Sequence, residues 1–279
     1  MALETTLRPR GPYSLAASAR HANDRTRVFR DGLLTCVFEA DGAPALARVW
    51  QAGDGNLRVR LECEAPEGAL ERLRFVLAID DDHTEFLQRF GSDPLVRHAT
   101  FRLRGLRPLR TATVTHALLR ALCGQLISAR EARRVEARVI RVYSSEHAGL
   151  DLPPQRSTFA PRSPAELCAH GLVARKASAL VRISRELDLE RLRGVPTATA
   201  VARICQERTL GPWSAGVVCL EGLGRFEHGL VGDLGLIKLC SRLLGRNATA
   251  EDTAELLAPY GEWAGLASVY LLAGGGPTP

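Results

Sequence analysis

Lysine is almost missing from this chain of 279 residues: Lys176 and Lys238 are the only two, so 35 of its 37 basic residues are arginine. Arginine's planar fork suits bidentate phosphate contacts but supplies no neutral amine, so chemistry that runs through a lysine Schiff base has only two candidates. The seven cysteines, at 36, 63, 123, 168, 205, 219 and 240, are odd in number and contain no Cys-x-x-Cys pair. That spacing suggests neither a zinc site nor a disulfide frame, and the thiols read as small reduced core residues. No apolar run approaches the roughly 20 residues of a membrane-spanning helix. The opening residues, Met1 to Arg10, lack the apolar block of a signal peptide. The expected compartment is the cytoplasm, with no membrane partner. Aromatic residues make up only 5% of the chain, so each one near a candidate site counts.

What is present is enough for a core. Hydrophobic residues make up 46% of the sequence, and the length suits one large or two modest domains. The formal charge of +6 favours a polyanionic partner by electrostatics alone. Between residues 27 and 63 the pattern is strand-like, clearest where apolar and charged residues alternate from Leu57 to Cys63. A turn at Ala52-Gly53-Asp54-Gly55 makes Ala45 to Gln51 its hairpin partner. After Pro66 the period changes, and Leu70, Leu73, Val76 and Leu77 fall on one helical stripe. Asp80-Asp81-Asp82-His83 reads as a solvated helix boundary rather than a metal cluster.

From Thr113 onward nearly everything is helical. Ala117 to Tyr143 reads as helix, Gly-Gln break, helix, its second half turning Val135, Val139, Val142 and Tyr143 inward against an arginine-rich outer face. Ser163-Pro164-Ala165-Glu166 is a capping box, and Thr249-Ala250-Glu251-Asp252 a related cap. Strands first and helices afterward predict an α+β chain: a small N-terminal antiparallel β-domain with helices over 1–92, then an all-α body over 93–279. The segment 92–112, rich in Arg, Pro and Gly, reads as the boundary. The tail from Gly274 to Pro279 reads as frayed.

Residues 208–233 carry the strongest chemical signal. A glycine turn before Trp213 presents backbone N–H groups at a helix start, a cradle for phosphate. Asp233 opens the next helix as a carboxylate that either caps it or does chemistry. With the turn, four ordered segments resemble the helix-hairpin-helix DNA glycosylases, most closely the DNA-3-methyladenine glycosylase II (AlkA) type. Leu122 to Ala129 looks like that family's Gly-Gln-x-x-Ser loop, and Gly171 to Leu187 like the helix leading toward the hairpin. Leu210-Gly211-Pro212-Trp213-Ser214-Ala215 resembles the hairpin, and Gly232-Asp233-Leu234-Gly235 the loop that ends in the catalytic aspartate. One position departs from the pattern: Thr209 stands where the family has glycine. Threonine disfavours positive φ, which bears on the turn geometry and on a candidate monovalent cation at its carbonyls.

The resemblance implies a monofunctional enzyme of base excision repair. It would flip an alkylated base out of double-stranded DNA and hydrolyse its N-glycosidic bond, acting as a monomer without a resident metal or cofactor. Asp233 would be the catalytic carboxylate, kept ionised by its helix N-terminus and stabilising a sugar cation. Gln125, Leu126, Ser128, Thr209, Gly211, Trp213 and Ser214 would meet DNA. Leu126 is the match for the wedge that fills the vacated stack, although from sequence alone it fits a core position equally well. Gln125 would face the gap or brace the loop. Trp213, Tyr260 and Trp263 would frame the base by stacking and cation–π contact, with Val217 where some members carry another aromatic. Trp213 also occupies the position of the lysine of strand-nicking relatives, so no AP-lyase activity is expected. Two other readings stand beside this one: a glycosylase for oxidised or deaminated bases, and a non-catalytic binder of damaged DNA. The iron–sulfur branch is disfavoured because no C-terminal four-cysteine cluster is present.

Overall fold

The computed structural model describes residues 2–274; the tail residues 275–279, expected to fray, lie outside the described residues. The chain is α+β. Five strands, β1 (Ala2–Leu7), β2 (Arg27–Arg30), β3 (Leu33–Ala40), β4 (Ala43–Gln51) and β5 (Leu57–Glu62), form one antiparallel sheet in the order β1-β5-β4-β3-β2. The alternation expected at Leu57 to Cys63 is realised: Leu57, Val59 and Leu61 are buried, while Arg58, Arg60 and Glu62 turn outward. Its hairpin partner is β4, with Val49 opposite Val59 and Ala47 opposite Leu61. Strand β1 was not expected. It gains its place by pairing Leu3 with Leu61 and Leu7 with Leu57, partners fifty or more residues away that no local pattern announces.

Between β1 and β2 lies α1 (Leu15–Ala19), and after β5 come α2 (Pro66–Leu77), α3 (Thr84–Phe90) and α4 (Arg97–Arg102). Helix α2 starts with Pro66 in its first turn and packs Ala69, Leu73, Val76 and Leu77 beneath the sheet. The body continues through α5 (Val114–Gly124), α6 (Ala129–Tyr143), α7 (Arg156–Phe159), α8 (Pro164–Ala169), α9 (Ala174–Glu186) and α10 (Thr197–Cys205). It ends with α11 (Pro212–Val217), α12 (Leu234–Leu244), α13 (Ala250–Leu257) and α14 (Ala264–Gly274). Both expected capping boxes form, at Ser163 with Glu166 and at Thr249 with Asp252. Helix α5, buried over most of its surface, is the axis of the helical core.

The two cores interlock around residue 92. Phe86 and Phe90 pack in the helical core, while Leu109 and Ala112 pack with the sheet. The segment 92–112 is correspondingly no solvated tether. Arg107 is fully buried, donating to the carbonyls of Ala78 (2.8 Å), Ile79 (3.1 Å), Pro12 (3.1 Å) and Arg10, with its guanidinium 5.0 Å from the Tyr13 ring centre. The acidic run is also corrected. Asp80 and Asp82 are exposed between α2 and α3, as expected of a helix boundary, but Asp81 pairs with Arg110 and His83 is buried against Phe226 and Trp263, so half of the run is an internal joint. Burial alone would raise the Asp81 carboxyl, but His83, 3.8 Å away, and the bonded Arg110 guanidinium hold it below its ordinary range. Arg107→Ala removes a buried cation shared by several carbonyls, and urea denaturation is expected to report a loss of at least about 3 kcal/mol.

Candidate active site

Two helices and two turns build the site. Helix α5 ends at Gly124, and the chain turns sharply through Gln125 and Leu126, which takes φ +60° and is 75% exposed. Ser128 then caps α6, its Oγ accepting from Glu131 N at 3.2 Å. Leu126 is therefore at an open tip, not in the core. Gln125 braces: its Nε2 donates to Thr209 O (2.7 Å) and to Ser214 Oγ (3.0 Å), and its own carbonyl accepts from Lys176 Nζ (2.9 Å). Lys176 is buried, and desolvation pulls its ammonium below the usual lysine range.

The second turn runs from Thr209 to Gly211. Thr209 does not adopt positive φ, so its side chain is accommodated without strain and its carbonyl points at Gln125 rather than outward. Gly211 precedes α11 with extended backbone, open space where a Cβ would stand, and no side chain capping the helix. Helix α11 runs on without a break into a wider π-helical turn, Val218–Leu223, ended by Gly224 in the left-handed region. Gly222 lets this segment press against α5, since a Cβ there would lie 2.8 Å from Ala117 Cβ.

Asp233 caps α12 and does more. Its Oδ1 accepts from Gly235 N (2.7 Å) and Leu236 N (3.4 Å), while Oδ2 accepts from Trp213 Nε1 at 2.9 Å. Three donors thus fix the carboxylate's plane. The far edge of the Trp213 ring lies over Gly124, where a Cβ would come within 2.7 Å of Cη2. Trp213 thereby couples the Gln125 turn to Asp233, linking two segments that the sequence shows only separately.

These groups open onto a cleft of about 1040 Å³. Its rim carries Leu126, Arg133, Arg175, Arg208 and Lys238, and the Trp213–Asp233 pair stands in one wall. Part of its lining is a largely buried ionic knot. Arg120 donates to Glu136 Oε1 (2.9 Å), Asp24 Oδ2 (2.7 Å) and Glu221 Oε2 (2.5 Å), and His116 Nε2 lies 2.8 Å from Glu136 Oε1. Burial would raise the Asp24 carboxyl, but Arg27 and Arg120 outweigh it and hold it well below its ordinary range; Glu136 is likewise held down, chiefly by Arg120. Asp24, His116 and Glu136 place three potential metal ligands within 4.8 Å of one another. The Arg120 guanidinium already bonds the same carboxylates, so the residues present do not fit a metal ion.

Among known proteins, no family model matches the chain. It is similar to a DNA-3-methyladenine glycosylase of Bacillus subtilis (strain 168), with 26% identity over 205 residues, 69% of this chain and 67% of that one. A probable bifunctional transcriptional activator/DNA repair enzyme AlkA of Mycobacterium tuberculosis shares 26% over 208 residues, and the match spans 42% of that longer protein. In fold it is similar to a 3-methyladenine DNA-glycosylase from Archaeoglobus fulgidus, with a TM-score of 0.83 and 20% identity over 96% of each chain. The chain thus has the fold of DNA glycosylases and is similar in sequence to 3-methyladenine DNA glycosylases. An 8-oxoguanine glycosylase/lyase of Clostridium acetobutylicum, solved with double-stranded DNA, superposes at TM-score 0.78 with 15% identity, covering 98% of this chain and 96% of that one. Glycosylases named for different bases thus share this architecture, and the side chains of the cleft have to separate them.

Two expected base-framing aromatics are elsewhere. Tyr260 is buried, with its ring 4.9 Å from Phe90 and its hydroxyl 3.1 Å from Asp93 Oδ2; Trp263 packs with Phe226, Phe86 and His83. Neither lines the cleft, because the tight turn at Gly261 folds their segment onto α3. Trp213 and Val217 remain as its apolar wall. Sequence reasoning missed Arg120, Glu136, Glu221 and Asp24. The inward face of α6 centres on Glu136 and Ile140, which leaves Val142, expected inward, 47% exposed at its edge. A glutamate in an otherwise apolar arc was the available signal.

Gly124→Ala is expected to displace the Trp213 ring, shift tryptophan emission and cost about 1–3 kcal/mol in a thermal melt. Acidification gives a second check. The Asp24 and Glu136 carboxyls sit lower folded than unfolded, so their stabilisation is complete above about pH 4 and is lost as pH falls through their folded values. Denaturant midpoints should drop below that pH, with a shallower slope in Arg120→Gln.

Proposed function

We propose that this chain is a monofunctional DNA glycosylase that flips an alkylated base, 3-methyladenine-like, out of double-stranded DNA and hydrolyses its N-glycosidic bond. The observation that carries the reading is the Asp233 carboxylate, fixed by Trp213 and by the start of α12 in the wall of the cleft. As the bond to the base breaks, the electron pair leaves with the base and positive charge builds on the sugar. The carboxylate opposes that charge. Water then adds at the anomeric carbon, its proton passes to Asp233 or solvent, and an abasic site remains. An alkylated purine is already cationic and leaves without prior protonation, so one carboxylate suffices.

The surroundings support the same reading. The uncapped start of α11 offers backbone N–H groups to a phosphate, and the exposed Leu126 stands ready to fill the stack that the base vacates. Thr209 and Ser214 serve the hairpin indirectly, as the acceptors of Gln125. The names of the Bacillus and Archaeoglobus proteins agree with alkylated adenine as substrate. Lyase chemistry has little support: Trp213 fills the corresponding position, Lys176 is buried on the Gln125 carbonyl, and only Lys238 reaches the cleft.

With methylated duplex DNA, Asp233→Asn should release bases about 100-fold or more slowly than the wild type while still binding the duplex. Equal release by the two, or none from the wild type, refutes the enzyme reading. Borohydride should trap no protein–DNA adduct during turnover. A trapped adduct that disappears in Lys238→Ala would make the enzyme a lyase as well.

A further inference from the structure

The charged groups of the cleft are divided between its rim and its interior. Its rim is cationic, with Arg133, Arg175, Arg208 and Lys238. At its inner part three carboxylates, Asp24, Glu136 and Glu221, face the two guanidinium groups of Arg27 and Arg120. Trp213, Val217 and Glu221 recur every four residues along one continuous helical stretch and all line the cleft. Glu221 therefore lies two turns, roughly 12 Å along the axis, beyond the tryptophan that touches Asp233. On the facing helix, Gly124 meets Trp213, and Arg120, one turn before it, meets Glu221.

Glu221 is the carboxylate of this knot that both keeps an oxygen to spare and stands most open to the cleft, 25% exposed against 9% for Asp24 and 3% for Glu136. Asp24 divides its two oxygens among Thr26, Arg27 and Arg120. Glu136 serves Arg120 and His116. Glu221 gives Oε2 to Arg120, and among the described residues its Oε1 accepts no hydrogen bond. Arg120 is the positioning residue that aims this carboxylate, and Val217 is small enough to leave the path to it open.

We propose that Glu221 is the specificity-determining residue of the cleft: its Oε1 accepts from an N–H on the far edge of the flipped base, and its carboxylate, with the others of the knot, selects a base that carries positive charge. A ring-methylated purine cation such as 7-methylguanine, which presents both the charge and N–H donors on that edge, is the class it fits. Cationic rim and inner carboxylates divide the work, the first holding phosphates and the second drawing in the base. The inference rests on the glycosylase reading above.

The test uses the full chain and two duplexes, one with a single 7-methylguanine and one with a tetrahydrofuran abasic analogue. Glu221→Gln keeps the size and the Arg120 contact but removes the charge, and Glu221→Asp keeps the charge. Single-turnover release of 7-methylguanine should fall about 10- to 100-fold in the Gln variant, as expected for loss of a charge-assisted hydrogen bond. The Asp variant should recover at least part of that rate, and both should bind the abasic duplex within about twofold of wild type, since no base is then read. Equal release by Gln variant and wild type overturns the proposal. So does equal impairment of the Gln and Asp variants, or abasic binding lost in parallel with release, because the carboxylate would then only hold the fold. A wild type that releases no base removes the glycosylase reading itself, a result distinct from any of these.

Discussion

The guanidinium of Arg120 is the interaction on which the rest of the cleft depends. It stands on the central helix α5 and binds carboxylates from three other places: the loop after α1, helix α6 and the π-helical turn after α11. A buried arginine with one carboxylate is weak evidence of net stability, because desolvation consumes most of the Coulomb gain. With three carboxylates and a histidine around it, the cation is surrounded and its pKa is driven well above the usual arginine range by Glu136, Glu221 and Asp24 against the cost of burial. The geometry specifies more than it stabilises: four segments can satisfy one planar fork together in only one arrangement.

That arrangement also positions the candidate carboxylate. With α11 pressed on α5 through Gly222 and Ala117, Trp213 comes to rest on the bare backbone of Gly124, and its indole N–H reaches Asp233. A carboxylate that only capped α12 would be free to turn about its bond. Here the second oxygen is held as well, so the carboxylate is preorganised for the charge stabilisation proposed for it. Gln125 ties the other turn to the same point, which makes the Leu126 tip and the Thr209 turn parts of one rigid unit rather than two loops.

Much of this was legible in the chain. The period-two run at Leu57 to Cys63, the change of period after Pro66, the capping boxes at Ser163 and Thr249, and the four ordered segments ending at Asp233 all appear in the structure where the sequence puts them. The aromatic frame was not. Tyr260 and Trp263 lie in a segment whose direction depends on one glycine turn, and a residue's type does not reveal which way such a turn sends it. Arg107, read as part of a linker, proved to be a buried staple, since burial of an arginine depends on carbonyls that only the folded chain brings to it.

The sequence by itself determined the β4–β5 hairpin, the helical body with its caps at Ser163 and Thr249, the α+β order and the position of the candidate carboxylate, because these follow from periods and bonds that span a few residues. Tertiary structure alone decided what the cleft presents to a base. Arg120 meets Asp24 across 96 positions and Glu221 across 101, and no short-range pattern records which distant charges will share one low-dielectric space.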